Sequence, residues 1–136
     1  MTETETGQLA LDHVGIATDD LEALTGLYVD LLGCSTVHRE TFDGMDVVFL
    51  AFENTYFELL EPLNSEGAIV RYLDSHGPGL HHLALATPDI EAALETARNC
   101  GVELIDEAPR EGAWGHEVAF MHPRSTGGIL LEFVQH

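Results

Sequence analysis

The sequence predicts an α+β fold of two βαβββ modules, which together make a cupped, incomplete mixed β-barrel with flanking helices. Three observations predict it. The stretch Leu11–Ala23 (LDHVGIATDDLEA) returns as Leu80–Ala92 (LHHLALATPDIEA), with His13 and His82 at an offset of 69 residues. Self-similarity at a fixed offset marks a duplicated unit. Within each copy the apolar pattern switches from a period of two to helical spacing and back to two. Finally, 136 residues with 45% hydrophobic content suffice to bury the core of one ordinary domain. We therefore expect one domain over residues 1–136, with module one at about 9–62, a linking helix at about 66–75 and module two at about 79–135.

The elements follow in order. Leu9–Ala17 alternates, with Leu11, His13, Gly15 and Ala17 on one face and Asp12, Val14 and Ile16 on the other. Thr18-Asp19-Asp20 supplies an N-cap and early acidic charge for a helix. That helix carries Leu21, Leu24, Leu27, Tyr28, Leu31 and Leu32 at helical spacing and stops at Gly33. Strands are expected over Ser35–Thr41, Met45–Phe52 and Thr55–Glu61, with turns at Asp43-Gly44 and Glu53-Asn54. The linking helix, Glu66–Ser75, turns Ile69, Val70, Tyr72 and Leu73 to its apolar side. Gly77-Pro78-Gly79 opens the second copy: a strand over Leu80–Thr87, a helix from Ile90 to about Asn99, and a strand over Val102–Glu107. Ala108–Gly115 reads as a loop, His116–His122 as a strand, Pro123–Gly128 as a hairpin loop and Ile129–Gln135 as the last strand.

Composition limits the partners. The formal net charge is −19, from 24 acidic and five basic residues, and every basic residue is arginine. Such a chain repels polyanions, so neither nucleic acid nor an anionic membrane is expected as a partner. At molar salt the Debye length falls to ~3 Å, so a halophilic, high-salt cytoplasm explains a charge of this size. No apolar run approaches a membrane span, and Met1–Gly7 is polar and acidic, unlike a signal peptide. Cys34 and Cys100 have no metal-type spacing and read as reduced, small apolar residues.

The chemistry lies in the last strand of each module. Glu58 stands inside Tyr56-Phe57-Glu58-Leu59-Leu60, and Glu132 inside Leu130-Leu131-Glu132-Phe133-Val134. A carboxylate between large apolar neighbours is costly to bury unless something pairs with it. Singly, a strand histidine usually packs and a strand glutamate usually faces water. Together, a His and a Glu at equivalent points of both copies point to one divalent ion held by His13, Glu58, His82 and Glu132. Vacant coordination positions on that ion would serve catalysis. His81 has the opposite strand parity and reads as core or as support for the ligands, while His122, beside the Pro123 loop, is placed at the cleft edge. His38, His76, His116 and His136 fit no comparable pattern.

These residues resemble the vicinal oxygen chelate superfamily (glyoxalase, bleomycin resistance protein, dioxygenase), and within it the methylmalonyl-CoA epimerase family. The likeness runs through Leu11–Ala17, Glu58–Leu63, Gly79–Ala84 and Ala119–Glu132, including His122-Pro123 and Gly127-Gly128. It implies an isomerase of propionate metabolism, cytoplasmic and homodimeric, that interconverts the (R) and (S) forms of methylmalonyl-CoA through a metal-stabilised enediolate. The implied ion is cobalt, with manganese, nickel or zinc as alternatives, and Glu132 is implied as both ligand and catalytic proton carrier. Some members place a second, non-ligand glutamate on the strand matching Met45–Phe52. Here that register offers valine, with Asp46 one position away at opposite parity, so a bulge, another group or a water must serve the second face. An acyl-CoA is a polyanion, which makes Arg110 and Arg124, in the second module's loops, candidates for substrate binding, against the alternative that they pair with local acids. A glyoxalase I-like lyase or another metal-dependent enzyme of the superfamily is the alternative reading. A dioxygenase would show three protein ligands and a longer chain, and a metal-free binding module would have no use for two His–Glu pairs.

Overall fold

The computed structural model describes residues 9–136, so the expectation for Met1–Gly7 lies outside the described residues. It divides into two compact units, one of residues 13–81 and one that joins residues 82–136 to residues 9–12, so that each boundary falls inside the first strand of a module. The class is α+β, and each unit carries one copy of the module.

In the first unit the strands are β1 (Ala10–Ala17), β2 (Ser35–Phe42), β3 (Met45–Ala51) and β4 (Tyr56–Pro62), with helices α1 (Leu21–Leu32) and α2 (Ala68–His76). The strand order is β2-β3-β4-β1. β1 runs parallel to β4, with Gly15 opposite Glu58, and the other two pairs are antiparallel. The Asp43-Gly44 turn takes positive φ at both residues, 51° and 75°, as a two-residue hairpin turn with the twist of its strands requires. In the second unit β5 (Gly79–Ala86), α3 (Ile90–Asn99), β6 (Arg110–Glu111), β7 (Glu117–Met121) and β8 (Leu131–Gln135) repeat the plan, in the order β5-β8-β7-β6. β5 is parallel to β8, and Ala84 stands opposite Glu132 as Gly15 stands opposite Glu58.

The repeat extends to the helix starts. Asp20 accepts a hydrogen bond from the Ala23 N–H and Asp89 from the Ala92 N–H. One residue further on, Glu61 Oε1 accepts from Leu21 N–H at 2.7 Å, and Gln135 Oε1 accepts from Ile90 N–H at 2.8 Å. α1 and α3 thus each begin pinned to the final strand of their own module.

Each helix covers one face of its sheet. Leu21 of α1 packs on Ile16, Val48, Leu50 and Leu59; Ile90 and Leu94 of α3 pack on Ala119, Met121 and Phe133. Strand side chains alternate, so Glu58 beside Leu59 and Glu132 beside Phe133 project from the opposite face. Leu59 is wholly buried, and Leu59→Ala is expected to cost about 3 kcal/mol of stability, measured by denaturant unfolding.

Three expectations change. Val102–Glu107 is no strand and makes only an isolated bridge at Leu104 with Met121. There the N–H groups of both Ile105 and Asp106 point at Phe120 O, and the Asp106 carboxylate takes the Phe120 N–H at 2.8 Å, replacing a ladder carbonyl. The pairing with β7 resumes at β6, inside the stretch expected to be loop. On α1, Leu27, Leu31 and Leu32 are exposed, because the covered face holds Leu21, Leu24, Tyr28 and Val29. Cys34 is buried as expected, whereas Cys100 is exposed at the end of α3; both are free thiols.

Candidate metal centre

The two His–Glu pairs have nearly the same construction in their separate units. His13 comes from β1 two residues before Gly15, and Glu58 from the neighbouring β4. His13 Nε2 lies 3.2 Å from Glu58 Oε1. In the other unit, His82 comes from β5 two residues before Ala84, and its Nε2 lies 3.4 Å from Glu132 Oε1 on β8. All four residues are 4–6% exposed, so neither carboxylate is on a solvent face. That removes the surface alternative for both glutamates.

Each histidine is also held by an aromatic edge. Phe49 meets the His13 ring at 5.7 Å and 86°, and Phe120 meets the His82 ring at 5.5 Å and 84°. In register, Phe49 is opposite Glu58 and Phe120 opposite Glu132. The phenyl groups fix the imidazole planes and make the surroundings apolar, which strengthens any charge interaction formed there.

The donor set fits a divalent ion. Metal–nitrogen and metal–oxygen bonds of ~2.0–2.2 Å put neighbouring donors ~3.0 Å apart in an octahedral site and ~3.4 Å apart in a tetrahedral one. The observed 3.2 and 3.4 Å fall at that spacing.

With this geometry in view, the comparisons become decisive. Residues 12–120 match the model of the Glyoxalase/Bleomycin resistance protein/Dioxygenase superfamily. The chain belongs to this superfamily. The mitochondrial methylmalonyl-CoA epimerase of Dictyostelium discoideum is 36% identical over 90% of this chain and 75% of its own length. A hypothetical protein from Bacillus halodurans C-125 has a crystal structure matching with a TM-score of 0.91, at 35% identity over 94% of each chain. Streptomyces coelicolor methylmalonyl-CoA epimerase, solved as a variant with 2-nitronate-propionyl-CoA, matches with a TM-score of 0.89 at 32% identity over 93% of each chain. Within the superfamily the chain therefore falls among the methylmalonyl-CoA epimerases, which are isomerases.

For a member of this family, several other residues now have a definite place. Arg110 and Arg124 both pair with local acids. The Arg110 Nε–H donates to Asp106 at 3.0 Å, and the guanidinium lies 5.6 Å over the Phe120 ring, the ring that abuts His82. Arg124 grips both oxygens of Glu103 at 2.9 Å, and this hydrogen bonding holds the Glu103 carboxyl below its ordinary value. Asp46 is tied to Arg39 at 3.0 Å, and Arg39 also binds Glu22 of α1 at 2.9 Å, so Asp46 faces the helix side of the sheet. His81 packs against the Tyr72 ring, on the other side of β5 from His82. His122 Nδ1 accepts from Arg124 N–H and caps the short 3-10 turn at Pro123–Ser125. Phe49 and Phe120 were not apparent as site residues from the sequence. Their signal was their equivalent register, opposite a strand glutamate in each copy.

Proposed function

We propose that this chain is a metal-dependent epimerase interconverting (R)- and (S)-methylmalonyl-CoA, acting as a single domain in which His13, Glu58, His82 and Glu132 hold one divalent ion. One observation carries the reading: a buried His–Glu pair with the same strand placement, spacing and aromatic edge in each module. Complexes of relatives with acyl-CoA compounds support the substrate class. When bound, the ion supplies Lewis-acid stabilisation of the charge that builds on the thioester oxygen as the α-proton leaves. Cobalt is the implied ion, and imidazole with carboxylate donors equally suits manganese, nickel or zinc.

The chain's own residues divide the work. The two imidazoles and two carboxylates would hold the dication, with the two carboxylates balancing its charge. Glu132 takes the α-proton on one face of the carbon. The phenyl rings of Phe49 and Phe120 keep bulk water from the reacting carbon. A homodimer in a salt-rich cytoplasm is the implied setting. No helix among the described residues is long and apolar enough to cross a membrane.

The deciding experiment follows α-proton exchange of methylmalonyl-CoA in deuterated water, with and without chelator. Exchange at enzymic rates that chelation removes is the expected result. Turnover of a hemithioacetal with no exchange at methylmalonyl-CoA would transfer the chain to the lyase reading.

Arg110 and Arg124 are assigned to the CoA phosphates. Arg110 gives one of its five N–H donors to Asp106 and Arg124 gives two to Glu103, so Arg110 keeps more for a phosphate. Arg110→Ala should therefore raise KM about fivefold at low salt, equivalent to about 1 kcal/mol, with kcat little changed and the effect fading as salt rises. Arg124→Ala should move KM less. Steady-state kinetics at two salt concentrations checks both.

A further inference from the structure

We propose that His38, oriented by Glu40, is the proton-transfer group for the face of the acyl α-carbon opposite Glu132; the inference rests on the epimerase reading above. Inverting a carbon requires a proton removed from one face and one returned to the other, and a single carboxylate reaches one face. Asp46 is the only acid on β3, and its pairing with Arg39 commits it to the α1 side. The second group must come from elsewhere.

A bulge in β2 supplies it. Ser35 and Thr36 pair with Ala51 and Leu50, and the register then jumps so that His38 pairs with Phe49 and Glu40 with Val47. Val37 is the extra residue. In a regular ladder with no bulge, Val37 would stand opposite Phe49 and His38 would turn towards α1. With it, His38 and Glu40 project from the same face as Phe49, away from the Val48 and Leu50 core. His38, Phe49, Glu58 and Gly15 form one cross-strand row. The rings follow that row: His38 to Phe49 is 6.1 Å, and Phe49 to His13 is 5.7 Å.

The pair has the chemistry for the task. His38 Nε2 and Glu40 Oε1 are 3.1 Å apart, and each side chain is 26% exposed, so a substrate can reach them. Imidazole gives and takes protons near neutral pH, and the carboxylate fixes its ring. The step balances. The α-carbon–hydrogen bond breaks, its proton goes to Glu132, and its electron pair forms the carbon–carbon double bond as the thioester oxygen takes the charge. The electron pair then returns to carbon, which takes a proton from the His38 imidazolium on the other face. Solvent restores both groups.

The test separates exchange from inversion. In deuterated water, with single stereoisomers of methylmalonyl-CoA, the unmodified protein should exchange the α-proton and interconvert the two forms. His38→Gln should lower interconversion about 100-fold or more while deuterium still enters one stereoisomer with retained configuration. Glu40→Gln should show the same split at about tenfold, as a positioning residue, and carries the test if His38→Gln does not fold. Interconversion at the normal rate in a folded, metal-loaded variant would overturn the assignment. So would equal loss of exchange and inversion, since a structural defect has no facial preference. Absence of α-proton exchange in the unmodified protein would instead overturn the epimerase reading, and this inference with it.

Discussion

Glu132→Gln should abolish α-proton exchange, by about a thousandfold or more, while leaving the fold in place. The amide is nearly isosteric with the carboxylate, and the position is only 5% exposed, so packing between Ala84 and Phe120 should survive the change. Two properties are lost together. The amide cannot accept the proton that the proposed mechanism gives to Glu132, and it is a weaker ligand for a divalent ion than a carboxylate. Metal analysis separates the two losses. A variant that keeps its ion and loses exchange has lost the base; one that loses both has lost the ligand. Near-normal exchange with the ion bound would show that Glu132 carries no proton, and would remove the step on which the proposed mechanism depends. Circular dichroism and an unfolding curve complete the comparison, since a folding defect would lower all of these signals together.

The fold was legible wherever one residue's chemistry sets local structure. The copied Thr-x-Asp at each helix start predicts a cap, and Asp20 and Asp89 both cap their helices. Asp43-Gly44 predicts a hairpin, and both residues take positive φ. Legibility failed where a side chain stands in for backbone. The Asp106 carboxylate takes the Phe120 N–H, and a stretch with strand composition becomes irregular. It failed again on α1, where apolar residues extend beyond the face that the sheet covers. Leu27 and Leu31 are more than half exposed despite ideal spacing.

The site divides along the same line. A glutamate at the same point of two apolar strands, each with a histidine on the paired strand, is a pattern of types and parity, and parity is a property of the chain alone. The buried pairs of each module follow it. Phe49 and Phe120 read as ordinary core residues because an apolar strand residue looks alike whichever face it takes. His38 was invisible for a different reason. A bulge of one residue reverses the face of all that follows it in β2, and no glycine or proline marks this one. The arginines show the limit of a charge argument: scarcity makes them notable, yet Arg39, Arg98, Arg110 and Arg124 each have an acid within 4 Å.

His82→Ala should lose the bound ion as well as all measurable exchange, while its immediate neighbour His81→Ala should keep both. The two residues share a strand, a residue type and almost the same sequence surroundings, so the contrast isolates orientation. His82 Nε2 lies 3.4 Å from Glu132 and its ring is set by the Phe120 edge. His81 points the other way and meets the Tyr72 ring at 5.0 Å. Removing His82 deletes one of the four proposed ligands and takes the imidazole neighbour away from a buried carboxylate. Removing His81 deletes the contact with the Tyr72 ring, on the other side of the strand, for about 1 kcal/mol of stability. Metal content after dialysis, read beside the unfolding midpoint, decides the matter without reference to turnover. His82→Ala should fall from one ion per chain towards none, and His81→Ala should stay at one. Equal retention in both variants would mean that the ion, if bound, does not depend on the His82–Glu132 pair, and the symmetric four-ligand site would have to be abandoned.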